Sequence, residues 1–149
     1  MISIRPWAIF ALLLAAMGSA RAELGGTAMS IADDQAHLQA TRRLEQAPLF
    51  TRHVITTPAG VQVTEYAAPS GTVFAVTWRG PFKPDLQQLL GPHFEAYAEA
   101  ASALRMGRRP VTLRRADLVI HSGGHMRAFS GHAYLPAQFP AGVTAEDIR

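Results

Sequence analysis

The chain contains no cysteine. That absence excludes structural disulfides, thiolate metal sites, thiol nucleophiles and lipid attachment at a cysteine behind a leader. A membrane-spanning segment is missing too: the unbroken apolar run Trp7 to Met17 has 11 residues, well short of the ~20 that a helix needs to cross a bilayer. No G-x-S-x-G elbow is present, which removes the usual strand-to-helix signature of a serine hydrolase. Facing carboxylates are lacking as well. Glu95 and Glu99 stand one helical turn apart beside small alanines, on what reads as a solvated face.

What the first residues do carry is a leader pattern. Arg5 precedes the apolar run, and Ala20-Arg21-Ala22 supplies the small-x-small pattern that a signal peptidase reads. The expectation is a signal peptide over residues 1–22, cut after Ala22, giving a periplasmic or secreted protein with no permanent transmembrane helix. Cleavage leaves residues 23–149 as a single domain and takes Arg5 and Arg21 with the peptide, so a net charge of +3 falls to +1. A nearly neutral domain lacks the surplus of cations that holds nucleic-acid phosphates, so no nucleic-acid partner is expected.

Turn chemistry organises the middle of the chain. Thr57-Pro58-Ala59-Gly60-Val61 and Ala68-Pro69-Ser70-Gly71-Thr72 each place proline where a type I turn wants φ near about −65°, then glycine where φ must be positive. Pairing Thr57 with Val61 and Ala68 with Thr72 predicts a three-stranded antiparallel meander. Strict alternation puts Phe50, Val54, Tyr66, Phe74, Val76 and Trp78 on one face, and Ile55, Val63, Val73, Ala75 and the cross-strand pair His53–Glu65 on the other. Upstream, Ser30 can cap a helix from about Ile31 to Leu44, with Asp33 and Asp34 in its first turn.

The stretch GTVFAVTWRGPFKPDLQQLLGPHF, residues 71–94, runs from the third strand into a helix. Gly80-Pro81 ends the strand because proline has no amide hydrogen for the ladder. Pro84 and Asp85 suit a helix start, and Leu86, Leu89, Leu90, Phe94, Tyr97, Ala98, Ala101 and Leu104 recur at helical spacing. Gly91-Pro92 should kink or split this crossing helix, and Gly107 and Pro110 stop it. Every residue of the stretch then has a structural role, which makes it a hinge rather than a catalytic corner.

That stretch, together with ELGGTAMS at 23–30, resembles the family of exported bacterial proteins catalogued as domain of unknown function 2844. The resemblance covers Leu24 to roughly Pro136 and is densest from Pro69 to Phe94. The family pattern has an aromatic residue before the phenylalanine of its Leu-Leu-Gly block, where this chain reads Pro92-His93-Phe94. The resemblance implies export and a single domain; it implies no activity, cofactor or site residue.

Two constellations are candidates for function. In HSGGH, residues 121–125, a Ser122-Gly123-Gly124 loop would set His121 and His125 directly across from each other, Cβ atoms about 5 Å apart, where two imidazoles can share an ion. That register puts Leu118, Ile120, Met126 and Ala128 on the opposite face and turns His132 with them, leaving Asp117 as the one further same-face ligand. A tight site wants three or four ligands, so two histidines are a thin basis for a divalent-metal protein. The second constellation is basic: Arg105, Arg108, Arg109, Arg114 and Arg115 lie near a helix C-terminus, where positive charge is favoured, and suit an anionic lipid, an acidic glycan or an acidic envelope protein. Ser122 and Ser130 sit beside glycine and near histidine, which keeps a hydrolase as a further alternative, but a tight hairpin cannot gather base, acid and oxyanion hole.

The sequence therefore predicts an exported α+β domain: an N-terminal helix, a three-stranded meander, a crossing helix, a C-terminal β-hairpin and a loose tail from about 136. No cofactor and no catalytic residue is expected. The leading function is a non-catalytic binding or accessory module with a basic surface for an anionic ligand or partner.

Overall fold

A computed structural model describes residues 23–27, 40–104 and 109–148. The leader at 1–22 and the first part of the expected N-terminal helix, 31–39, fall outside the described residues. The elements in order are β1 (Thr41–Gln46), β2 (Thr51–Thr56), β3 (Gln62–Ala67), β4 (Val73–Gly80), α1 (Leu86–Leu90), a 3-10 turn (Gly91–His93), α2 (Phe94–Ala103), β5 (Val111–Arg114), β6 (Val119–His125) and β7 (Ala128–Tyr134).

The α+β arrangement gives way to a mostly β fold. All seven strands form one antiparallel sheet in the order β1-β2-β3-β4-β7-β6-β5. Meander and hairpin are not separate, because the free edge of β4 pairs with β7 from Ala75–Tyr134 to Gly80–Phe129. Nor does the expected helix reach Leu44: Thr41 to Gln46 pairs with β2 throughout. A thin apolar stripe gave that helix little to bury, whereas the open edge of β2 offers amides and carbonyls that a strand satisfies. Among the described residues no helix is long and apolar enough to cross a membrane.

The two hairpin turns form as their chemistry dictates. The Thr57 amide donates to the Val61 carbonyl and the Ala68 amide to that of Thr72, both at 2.9 Å. Gly60 and Gly71 take φ of +81° and +87°, a conformation that costs glycine little. The register that follows includes the His53–Glu65 pair.

One bulge overturns the predicted faces. Tyr66 pairs with Ala75, but Ala67 pairs with Val73, so Phe74 is an extra residue in β4. Phe74 and Ala75 consequently bury on the face of Phe50 and Tyr66, while Val76 and Trp78 return to the face of Ile55 and Val63. A bulge shifts everything beyond it by one place, and with a period of two that reverses every later side chain.

The first of these faces to be filled is the helix face. α1 and α2 lie across it and bury Leu86, Leu89, Leu90 and Tyr97 against Val63, Val76, Trp78, Ile120 and Ala133. Asp85 caps α1 by accepting from the Gln88 amide at 3.1 Å. Gly91-Pro92-His93 turns the chain into α2 as a 3-10 segment, so the crossing helix is split where glycine and proline placed the break. The segment just behind the predicted cleavage point is part of this layer. Leu24 is completely buried, its amide donates to the Leu89 carbonyl at 3.1 Å, and the Gly25 amide donates to Val73 at 2.8 Å.

The opposite face is only half covered. Phe50, Tyr66, Phe74 and Tyr134 form an aromatic cluster there. The tail expected to end loosely packs on it instead. Phe139 meets Phe74 edge-on with ring centroids 5.3 Å apart, and Val143 and Ile148 are 8% and 3% exposed. Its proline and small residues hid three widely spaced apolar anchors that the cluster needs for cover. Beyond them, toward the β2–β3 and β6–β7 turns, the face is open.

Candidate functional site

The open half of the sheet is a groove of about 430 Å³. Cross-strand pairing builds its floor: Val54, Thr64, Thr77, His132, His121 and Thr112 are successive partners across β2, β3, β4, β7, β6 and β5, so their side chains share one face. Three hydroxyls and two imidazoles in one row make this floor polar, whereas the next row, on the other face, runs Val76, Ala133, Ile120 and Leu113 across β4, β7, β6 and β5.

Arginines wall the groove. Arg43 and Arg52 both reach Glu45, Arg52 at 3.8 Å, and Arg52 also lies over the Phe50 ring, 5.7 Å from its centroid. On β4, Arg79 donates from Nε and Nη2 to Gln62 Oε1 at 2.9 and 2.7 Å. These contacts hold the guanidinium groups in place without neutralising them: three arginines face one carboxylate, and the Gln62 amide contributes no charge. Side chains fixed before a ligand arrives lose less entropy on binding it. A second depression continues the first, sharing Gln62, Arg79 and Ser130 with it and running to Arg127 at the β6–β7 turn.

The histidines are arranged differently from the HSGGH expectation. β6 runs straight through Gly123 and Gly124, the turn is Met126-Arg127 with Arg127 at φ +64°, and His125 pairs with Ala128. The glycines serve close approach rather than the turn. A Cβ on Gly124 would come within 2.6 Å of Phe129 Cα, and one on Gly123 within 3.1 Å of Pro110 Cβ. His121 therefore faces His132 across the strands, with the rings stacked at 5.5 Å and 28°. Thr112 Oγ1 bonds His121 Nδ1 at 3.0 Å, and the stack continues through Tyr134 to Phe139. His125 is exposed at the end of the strand, and Asp117 is exposed in the β5–β6 turn. No three metal-ligating side chains come together among the described residues.

The basic run is dispersed. Arg115 turns toward α2, 3.7 Å from Glu99; Arg114 pairs in register with Val119 at the end of β5; Arg109 stands by a small cavity under α2. Arg105 and Arg108 lie outside the described residues. Of the two serines, Ser122 is buried on the helix face while the neighbouring His121 faces the groove, so they do not meet. Ser130 is exposed in the groove wall, and no serine–histidine–carboxylate chain forms among the described residues.

A separate polar cluster lies on the helix face. His53 is 4% exposed, and Arg42 Nη2 donates to its Nδ1 at 2.8 Å. Burial, and secondarily the Arg42 charge, lower the imidazole pKa below its ordinary value, so the ring is neutral with its proton on Nε2. That is a packing arrangement: Arg42 needs an acceptor, and His53 supplies one.

Sequence reasoning missed Arg43, Arg52, Arg79 and His132. Arg43, Glu45 and Arg52 were readable only after Thr41–Gln46 was recognised as a strand, and His132 only after the β6–β7 turn was placed correctly. The model of the family described as Protein of unknown function (DUF2844) matches residues 20–148, so the chain belongs to that family. No curated protein and no solved structure matches the chain.

Proposed function

We propose that this family member is an exported, non-catalytic binding module whose open sheet face holds an acidic glycan in the bacterial envelope. The observation that carries the reading is the groove itself: three fixed arginines around a floor of hydroxyls and stacked imidazoles. Guanidinium groups pair with carboxylates, hydroxyls and amides match sugar hydroxyls, and flat rings take the apolar faces of sugars. The continuation toward Arg127 suits a chain of several sugar units. An anionic lipid fits less well, because the groove has no apolar trench for acyl chains and the exposed large hydrophobics Leu44, Leu49, Phe82 and Met126 are scattered. Export is supported by the leader pattern. A cut after Ala22 spares Leu24, which is buried between α1 and β4.

Intact mass of protein from a periplasmic fraction tests export; the expected species begins at Glu23, and a full-length cytoplasmic species would reject it. Calorimetric titration with oligogalacturonates tests the groove. Binding should weaken at least about tenfold in the double variant Arg52→Gln/Arg79→Gln and fade with added salt, while neutral oligomers of the same length bind poorly. Equal binding by wild type and double variant would sink the glycan reading.

A further inference from the structure

A second cavity lies on the other side of the sheet, between α2 and the β6–β7 hairpin. It holds about 140 Å³ and shares no lining residue with the arginine groove, meeting that groove's continuation only at Phe129. Tyr97, Ala101 and Leu104 of α2 form one wall, and Val111 and Phe129 face them from the sheet. The backbone of Ser122, Gly123 and Gly124 closes the far side. Ala101, Leu104, Val111 and Phe129 thus give the interior apolar walls, and polar groups stand at its two ends.

At the mouth stand two exposed cations, Lys83 and Arg109. Lys83 donates to the Tyr97 hydroxyl at 3.4 Å, which holds its ammonium group at the opening. Among the described residues no aspartate or glutamate lines the cavity, and neither cation enters an ion pair. At the inner end, Ser122 is 3% exposed and its hydroxyl has no hydrogen-bond partner. A buried hydroxyl without a partner carries a desolvation cost that an acceptor oxygen would remove.

From these three features we infer that the cavity is a binding site for a short-chain oxo- or hydroxy-monocarboxylate. The carboxylate pairs with Lys83 and Arg109 at the mouth, the carbon chain fills the apolar interior, and an oxygen near the far end accepts from Ser122. The volume equals about five water-sized groups, which sets the chain at about four to six carbons. A longer chain would not fit, and an acid without the distal oxygen would leave Ser122 unpaired.

Lys83 is the only lysine in the chain, which makes it a single reporter. Reductive methylation with carbon-13 keeps its charge and labels it alone apart from the amino terminus. The probes are 4-oxopentanoate, pentanoate and the neutral pentanamide. Saturable shifts of the Lys83 signal are expected with 4-oxopentanoate, binding about threefold or more weaker with pentanoate, and none with pentanamide. Arg109→Gln should weaken 4-oxopentanoate about tenfold. Ser122→Ala should erase its advantage over pentanoate, and Ala101→Leu, which fills the cavity, should abolish binding in a protein whose melting transition stays cooperative. Arg52→Gln/Arg79→Gln should leave the titration unchanged, so this site and the glycan groove succeed or fail separately. Absence of a saturable shift with either acid, equal response to the amide, or undiminished binding in Ala101→Leu would each overturn the proposal.

Discussion

The two faces of the seven-stranded sheet differ in what covers them, and that decides what each can do. On the helix face, α1, α2 and the Leu24 segment exclude water, so most side chains there are apolar, and Arg42 and His53 bond to one another. On the other face a short tail covers only the aromatic half. The uncovered half has hydroxyls, imidazoles and arginines on the same strands and in the same register. A closed face supplies stability, and an open face anchored to it supplies a rigid platform on which polar groups hold their positions without a ligand.

The sharpest way to break this comparison is to truncate one residue on each side of β4. Trp78 is 3% exposed in the helix-face core, packed with the α1 leucines rather than with Phe74 as alternation had suggested. Trp78→Ala should cost ~3 to 5 kcal/mol in denaturant unfolding, whereas Thr77→Ala, one residue away on the groove side, should stay within about 0.5 kcal/mol. Similar losses at both positions would mean that the two faces are not distinct environments.

A smaller effect follows from His53. Its folded pKa lies below the ordinary 6.5, so above that pH the ring is neutral in both the folded and the unfolded chain. As pH falls through 6.5 the unfolded chain takes up the proton first, and stability declines until the folded value is reached. Arg42 and Glu65 are the charged groups nearest in register. Urea midpoints measured from pH 8 to pH 5 should drop in wild type and drop less in His53→Gln; parallel profiles would remove the closed-face account of this histidine.

The smallest effect is expected at the surface of the helix layer. Arg115 and Glu99 approach to 3.7 Å with side chains 51% and 70% exposed, so Arg115→Ala should change stability by no more than ~0.5 kcal/mol. A larger loss in unfolding experiments would show that this layer is held by charge as well as by apolar burial.

How much of this was legible depended on whether the signal was local. The Pro-x-Gly turns and the Gly91-Pro92 break are written in neighbouring residues, and each formed where the sequence placed it, while the helix expected to start at Pro84 begins at Leu86 with Asp85 as its cap. The assembly of meander and hairpin into one sheet was not, because it rests on β4 pairing with β7 some 55 positions away, from Ala75–Tyr134 to Gly80–Phe129. The groove suffered most. Its floor needs the correct strand for Thr41–Gln46, the correct turn after His125 and the extra residue at Phe74, and an error in any one turns its side chains over. The described members of the basic run show a related effect, since Arg109, Arg114 and Arg115 are near in sequence but stand by the α2 cavity, at the end of β5 and against Glu99 respectively.

The extra residue at Phe74 also bears on which changes of length this chain can survive. Most strands meet deletion by shortening at a turn, where the loss is absorbed. Removing Phe74 would take out the extra residue and leave the pairs Ala67–Val73, Tyr66–Ala75 and those beyond them as they are, so Val76 and Trp78 would keep the helix face and Thr77 and Arg79 the groove, and what would be lost is the Phe74 ring from the aromatic cluster. A gap of one residue at this place is therefore the deletion that spares the faces of β4, whereas loss of a residue further along the strand would turn over the side chains that follow it.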